Sequence, residues 1–192
     1  MKQLKIKAHG LTFDTPVVNS NAVFWEIKEP EYARLRNGEQ VALVERGTEV
    51  PMQVMKCPRR DVILTPLGCD LNEIYREDSG IDEEAYNSEE LIFDSYRLNT
   101  FGVLSGKQFN HSVRIVSISK LGIGFTISKF MLNFDETYRL NVICDEEPIS
   151  LQASIRYAHL IEKGIYYSAA IKSIKPRDLE VLRYYTASQQ LR

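Results

Sequence analysis

Apolar and polar residues alternate from the first positions of the chain, with Leu4, Ile6 and Ala8 separated by Lys5 and Lys7. A period of two sends one set of side chains into a core and the other into water, the pattern of a half-buried strand. Short apolar runs follow at Val17-Val18 and Ala22-Val-Phe-Trp-Glu-Ile27. Asn37-Gly38 precedes Gln40-Val-Ala-Leu-Val44, and Arg46-Gly47 marks a turn into Val50 to Met55. Val62-Ile-Leu64 is closed by Pro66 and Gly68, residues that break regular structure. Between these runs, Pro30 to Arg36 is the one place where a short helix is expected. Five or six short strands separated by turn residues predict a small antiparallel barrel or sandwich.

The second half repeats the theme. Strands are expected at about Arg97 to Leu104, His111 to Ile118, Gly124 to Ile127, Thr137 to Ile143, Ile149 to Tyr157 and Ile165 to Ile174. A helix closes the chain, its start signalled by Ser173 and by Pro176, which is tolerated in a first turn because its missing N–H would have no partner there. Asp178 suits the positive end of the helix dipole. Leu179, Leu182 and Tyr185 or Thr186 then recur at helical spacing, predicting one face packed on the barrel.

Charge divides the chain in a way that the net value of -2 conceals. Residues 1–69 carry ten Lys/Arg and eight Asp/Glu, residues 70–94 carry one and ten, and residues 95–192 carry thirteen and eight. Like charges this dense repel and favour a solvated segment. The expected organisation is therefore an N-terminal β domain over 1–69, an acidic linker over 70–94 and a second β domain over 95–192. The balanced total argues against a protein built to coat phosphate backbones, so nucleic acid is an unfavoured partner. No segment approaches the roughly 20 apolar residues that cross a bilayer, and the N-terminus reads as a strand instead of a leader, so no membrane insertion and a cytoplasmic location are expected. The cysteines, Cys57, Cys69 and Cys144, are odd in number and unpaired in spacing, which suits a reducing compartment and core positions. His9, His111 and His159 are scattered, and no metal site is expected. No phosphate-binding glycine loop, G-x-S-x-G elbow or H-E-x-x-H helix is present, and no enzymatic activity or cofactor is expected.

The stretch Val113-Arg-Ile-Val-Ser117-Ile-Ser119-Lys-Leu-Gly122-Ile-Gly124-Phe resembles the D/N-x-S-x-x-G signature of PilZ domains. Asn133 to Ile143 is similar to that family's next strand, Ala153 to Ile171 to its closing hairpin and Lys175 to Tyr185 to its terminal helix, so the resemblance spans about residues 93–192. It implies a six-stranded barrel followed by a helix, and a ligand, the bacterial messenger cyclic di-GMP, that many members bind. In those members an R-x-x-x-R motif ahead of the barrel wraps the nucleotide, because guanidinium forks reach phosphate and guanine acceptors and stack on bases. Here only Arg97 is present, Phe93 stands at the first arginine position and Ser117 at the Asp/Asn position. Each lost charge-assisted contact costs about 1.5–3 kcal/mol, or roughly ten to a hundredfold in affinity. The resemblance thus gives a candidate ligand set of Arg97, Phe93, Ser117, Ser119, Gly122 and Arg114. Residue chemistry offers a second account of several: Ser119 and Gly122 suit a tight turn in which Gly122 supplies a costly backbone angle, and Arg114 suits the solvent side of a strand opposite Val113 and Ile115. The segments Leu35 to Val44, Val50 to Met55 and Asp61 to Pro66 faintly resemble the barrel that precedes PilZ in flagellar brake proteins.

These features point to a bacterial PilZ-type signalling or regulatory module that works through contacts with a regulatory protein partner, its cyclic di-GMP site degenerate or weak. A working cyclic di-GMP receptor controlling motility or exopolysaccharide and biofilm is the first alternative, with Arg34 and Arg36 or Arg59 and Arg60 supplying the missing charge. An oligonucleotide-binding barrel is the second, and it requires an exposed aromatic platform flanked by Lys/Arg.

Overall fold

The computed structural model describes residues 2–75, 95–134 and 136–192. The chain divides into two compact units, Met1–Cys69 with Ala187–Arg192, and Asp70–Thr186. Both are mainly β, and each contains a closed barrel of six antiparallel strands.

The first barrel comprises β1 (Gln3–Ala8), β2 (Leu11–Ser20), β3 (Trp25–Ile27), β4 (Gln40–Glu45), β5 (Thr48–Met55) and β6 (Val62–Pro66). Its strands close in the order β1-β2-β3-β6-β5-β4. The alternation of β1 is literal, with Leu4, Ile6 and Ala8 buried and the intervening lysines exposed. β2 is longer than its apolar pair Val17-Val18 foretold, because Leu11 to Pro16 pair with β1 along the full length of that strand. Closure of a barrel supplies every strand with two neighbours, so pairing extends a strand where burial alone does not. Pro30 to Arg36 is not helical; Ala33 donates its N–H to the Pro30 carbonyl at 3.0 Å in an isolated turn. Arg34 adopts φ 45°, a left-handed angle that ends any helix at its first turn, while Ala33 and Leu35 fill the barrel core.

The second barrel comprises β7 (Tyr96–Ser105), β8 (Asn110–Ser119), β9 (Gly122–Ile127), β10 (Thr137–Cys144), β11 (Glu147–Ile161) and β12 (Gly164–Ile174). Its order is β10-β11-β12-β9-β8-β7. Leu104, Ile115, Phe125 and Leu140 point inward and are fully buried. Two buried tyrosines fasten the loop between β9 and β10. Tyr167 Oη donates to the Phe130 carbonyl at 3.1 Å and accepts from the Leu132 N–H at 3.1 Å. Tyr138 Oη donates to the Asn133 carbonyl at 3.1 Å and accepts from its N–H at 2.8 Å. Burial raises the Tyr138 phenol above its ordinary range, against the lowering effect of the Asn133 backbone bond.

The first residues of the acidic stretch are structured: Asp70–Glu73 form a 3₁₀ turn, and Leu71 and Ile74 are fully buried in the second unit. The rest of that stretch, and Phe93 with it, lies outside the described residues. Helix α1 (Pro176–Gln190) begins at Pro176 as expected, but Ser173 is an exposed residue of β12 and caps nothing. The first intrahelical bond runs from the Leu179 N–H to the Lys175 carbonyl at 2.9 Å, so Lys175 occupies the cap position. More than one face of α1 is covered, since Val181 and Tyr184 are buried together with Leu182, Tyr185 and Thr186.

Candidate functional site

Arg97 of β7 and Arg114 and Ser117 of β8 lie on the outer face of the barrel, while Ser119 and Gly122 are buried at the β8–β9 hairpin. Two register shifts, between Arg97 and Thr100 and between Ile115 and Ser117, set this surface. A bulge leaves two successive residues on one side of a strand. Val116 and Ser117 accordingly stand half-exposed between the fully buried Ile115 and Ile118. Arg97 pairs directly with Ser117, Ser117 with Gly124, and Gly124 with Ser168, so one row crosses four strands.

Arg97 is exposed near the start of β7, where a ligand-facing arginine is expected. Ser117 is already engaged: its Oγ lies 3.3 Å from the Tyr166 hydroxyl of β12, a hydrogen bond reaching across β9. The bond is possible because Gly124 lies beneath it. A Cβ on Gly124 would collide with both Ser117 Oγ and the Tyr166 hydroxyl.

Arg114 is exposed, with Val113 and Ile115 buried on either side of it, as strand alternation requires. Its guanidinium donates to Asn99 Oδ1 of β7 from Nη2 at 3.0 Å and from Nε at 3.3 Å. Asn99 therefore turns the fork along the barrel surface, one row away from Arg97. The signature pair Ser119 and Gly122 sits at the hairpin between β8 and β9. Ser119 is buried, and its Oγ accepts the Leu121 N–H at 3.2 Å, fixing the two-residue turn. Gly122 serves that hairpin for a different reason from the one its sequence suggested. Its φ is not left-handed; it is a strand residue, and a Cβ there would strike the Ala169 carbonyl of β12. Glycine is needed for close approach of two backbones, not for a turn angle.

Sequence reasoning missed Tyr166, Asn99 and Gly124. Gly124 carried a usable signal, because a glycine inside a strand two positions after Gly122 shares its face and marks a crowded surface. Tyr166 carried none, since its partner is 49 residues away in sequence and the register of β12 against β9 decides the meeting.

Beside this row lies an apolar surface. Phe101 is 62% exposed on β7 directly opposite Arg114, and the exposed Val103 pairs with Asn141 of β10, next to the exposed Ile143. Among the described residues no group of three or more His, Cys, Asp or Glu stands close enough to hold a metal ion, and no helix is long and apolar enough to cross a membrane. Cys57 and Cys144 are buried and Cys69 is half-buried.

No family model matches this chain, and no curated protein does. Solved structures do. An inhibitor of motility from Bacillus subtilis, MotI/DgrA, is 16% identical with a TM-score of 0.45 over 98% of this chain and 95% of its own. YcgR from Escherichia coli, solved in complex with c-di-GMP, is 9% identical with a TM-score of 0.41 over 98% and 84%. MrkH from K. pneumonia, also a c-di-GMP complex, is 13% identical with a TM-score of 0.42 over 98% and 87%. The second barrel itself has six strands close to the expected places, Ser119 and Gly122 at the β8–β9 hairpin, and a helix directly after β12.

Proposed function

We propose that the second barrel is a PilZ-type regulatory module that works through protein contacts and retains only a weak site for cyclic di-GMP. The observation that carries this reading is the Ser117–Tyr166 bond at 3.3 Å across Gly124. Where the resemblance calls for an Asp or Asn able to accept from a ligand, the chain has a shorter hydroxyl that is already hydrogen-bonded to the Tyr166 hydroxyl. A ligand group arriving there must displace Tyr166 and replace its hydrogen bond, which removes most of the net gain from a new one. Arg97 is exposed on β7, and Arg114 is held by Asn99. The contiguous apolar residues Phe101, Val103 and Ile143 support the protein-contact part, because exposed apolar clusters beside polar rims are the usual marks of partner surfaces.

Calorimetric titration of the full chain with cyclic di-GMP tests the reading. The expected result is no binding, or binding at least about tenfold weaker than in Tyr166→Ala, which uncovers Ser117. Tight binding by the unmodified chain, lost in Arg97→Ala, overturns the weak-site reading in favour of a working receptor for the nucleotide.

A further inference from the structure

A second surface of the same barrel, away from β8, has the chemistry of an anion site. Arg139 of β10 pairs with Gln152 of β11, and Gln152 pairs with Ser173 of β12. Neighbouring strands lie about 4.8 Å apart, so this row spans roughly 10 Å of outer face. Ser150 and Lys175 flank it, and with Leu151 and Ile174 as walls these residues line a cleft of about 430 Å³.

The charge in this cleft is one-sided. Among the described residues Arg139 and Lys175 have no acidic partner, and no carboxylate lines the cleft. Two acids lie close by in the fold. Asp178 Oδ2 accepts the Ser150 N–H at 3.2 Å and sits at the edge of the cleft, and Glu147 is held by Arg177 at 2.9 Å. An anion placed between two cations that border one space gains both attractions. The donors are of the kinds that bind phosphate: a planar guanidinium, an ammonium, a side-chain amide and two hydroxyls, against the single Asp178 carboxylate at the edge. The volume accommodates a phosphate with a sugar-sized substituent, and the half-buried Ile174 gives that substituent an apolar surface.

We propose that this cleft binds the phosphate group of a small phosphomonoester. The site is separate from the Arg97 surface and does not rest on the function proposed above. Its test is a titration of the ¹⁵N-labelled full chain, first with inorganic phosphate and then with guanosine 5′-monophosphate, against sodium chloride at matched ionic strength. Saturable shifts at the Gln152, Ser173 and Lys175 amides are expected, weakened about tenfold or more by Arg139→Gln or by Lys175→Gln singly and abolished in the double variant. The mononucleotide is expected to compete with phosphate for the same amides. Shifts that fail to saturate, that chloride reproduces, or that survive in a double variant with unchanged thermal unfolding overturn the assignment. So does a mononucleotide that perturbs only the Arg97 and Ser117 amides.

Discussion

The two barrels are built on one plan and use it differently. Reading from the first strand of each, the order is β1-β2-β3-β6-β5-β4 in one and β7-β8-β9-β12-β11-β10 in the other, the same path through six strands. Their third strands differ in length and in how their aromatic residue is packed. β3 is three residues long, and its Trp25 is half-buried with the Lys2 ammonium 4.4 Å from its ring centroid. β9 is six residues long, and its Phe125 is fully buried against Tyr167, ring centroids 5.7 Å apart. The corner between second and third strands differs as well. In the first barrel Asn21 Oδ1 accepts the Val23 and Phe24 N–H groups, both at 2.7 Å, and the amides of Asn19 and Asn21 donate to the carbonyls of Leu191 and Gln190. In the second, that corner is the Ser119–Gly122 hairpin, fixed by the Leu121 N–H on Ser119 Oγ at 3.2 Å. One backbone path is satisfied by chain-end packing in one case and by glycine-mediated strand contact in the other.

The largest effect that would sharpen this contrast is expected from the third-strand aromatics. Phe125→Ala removes a fully buried ring and leaves a cavity against Tyr167, a change that costs about 3–5 kcal/mol. Trp25→Ala removes a ring that is already half in water and held partly by a cation–π contact of about 0.5–1 kcal/mol, so its cost is expected to be smaller. Urea unfolding followed by circular dichroism measures both. A Trp25 variant less stable than the Phe125 variant would break the comparison.

Next in size is the difference in how glycine is used. Gly47 of the first barrel sits at φ 84° in the turn between β4 and β5, with nothing within 4 Å of an added Cβ. Its replacement by alanine meets only the left-handed penalty of roughly 1–2 kcal/mol. Gly122 meets no angular penalty, but any side chain there is driven into the Ala169 carbonyl. Overpacking of this kind costs about 1–3 kcal/mol, and the obstacle is backbone that cannot rotate away. Gly122→Val is therefore expected to destabilise more than Gly47→Val does beyond its own alanine variant. Melting temperatures of the three variants decide it, and a Gly122→Val protein that melts with the unmodified chain would remove the close-approach account.

How far the sequence carried this picture follows from the range of each interaction. Strand positions in the second half were legible because alternation is local: Val113 and Ile115 inward with Arg114 outward is visible in three residues. The start of α1 was legible at Pro176, whose missing donor acts within one turn. The turn at Pro30–Arg36 was misread because nothing in the local sequence announces the left-handed φ of Arg34, which ends the helical turn while Ala33 and Leu35 are both buried in the barrel core. Of the candidate site, Arg97, Ser117, Ser119, Gly122 and Arg114 were named from the resemblance. What the sequence concealed is which of them is spoken for. Ser117 is engaged by Tyr166 and Arg114 by Asn99, both through cross-strand register, and register depends on bulges at Ile115/Ser117 and Arg97/Thr100 that no local pattern announces.

The smallest expected effect concerns a carboxylate that the first barrel holds and the second has no counterpart for on the corresponding strand, where β9 runs Gly-Ile-Gly-Phe-Thr-Ile. Glu26 lies on β3, half-buried. Burial pushes its pKa above the ordinary carboxylate range and the Asp61 carboxylate adds to the rise, while Arg192 and Lys28 draw it back. The folded state therefore holds the Glu26 proton more tightly than the unfolded chain does. Between the two pKa values the native state binds more protons, so stability falls as pH rises from the unfolded value of 4.5 through the raised folded value. Glu26→Gln cannot ionise and is expected to escape that loss. Its urea midpoint should gain on that of the unmodified chain as the buffer moves from about pH 4 to about pH 7, with the gain levelling off above the folded pKa. Parallel pH profiles for the two proteins would show that Lys28, already paired with Asp61 at 2.8 Å, and Arg192 neutralise Glu26 fully in the native barrel.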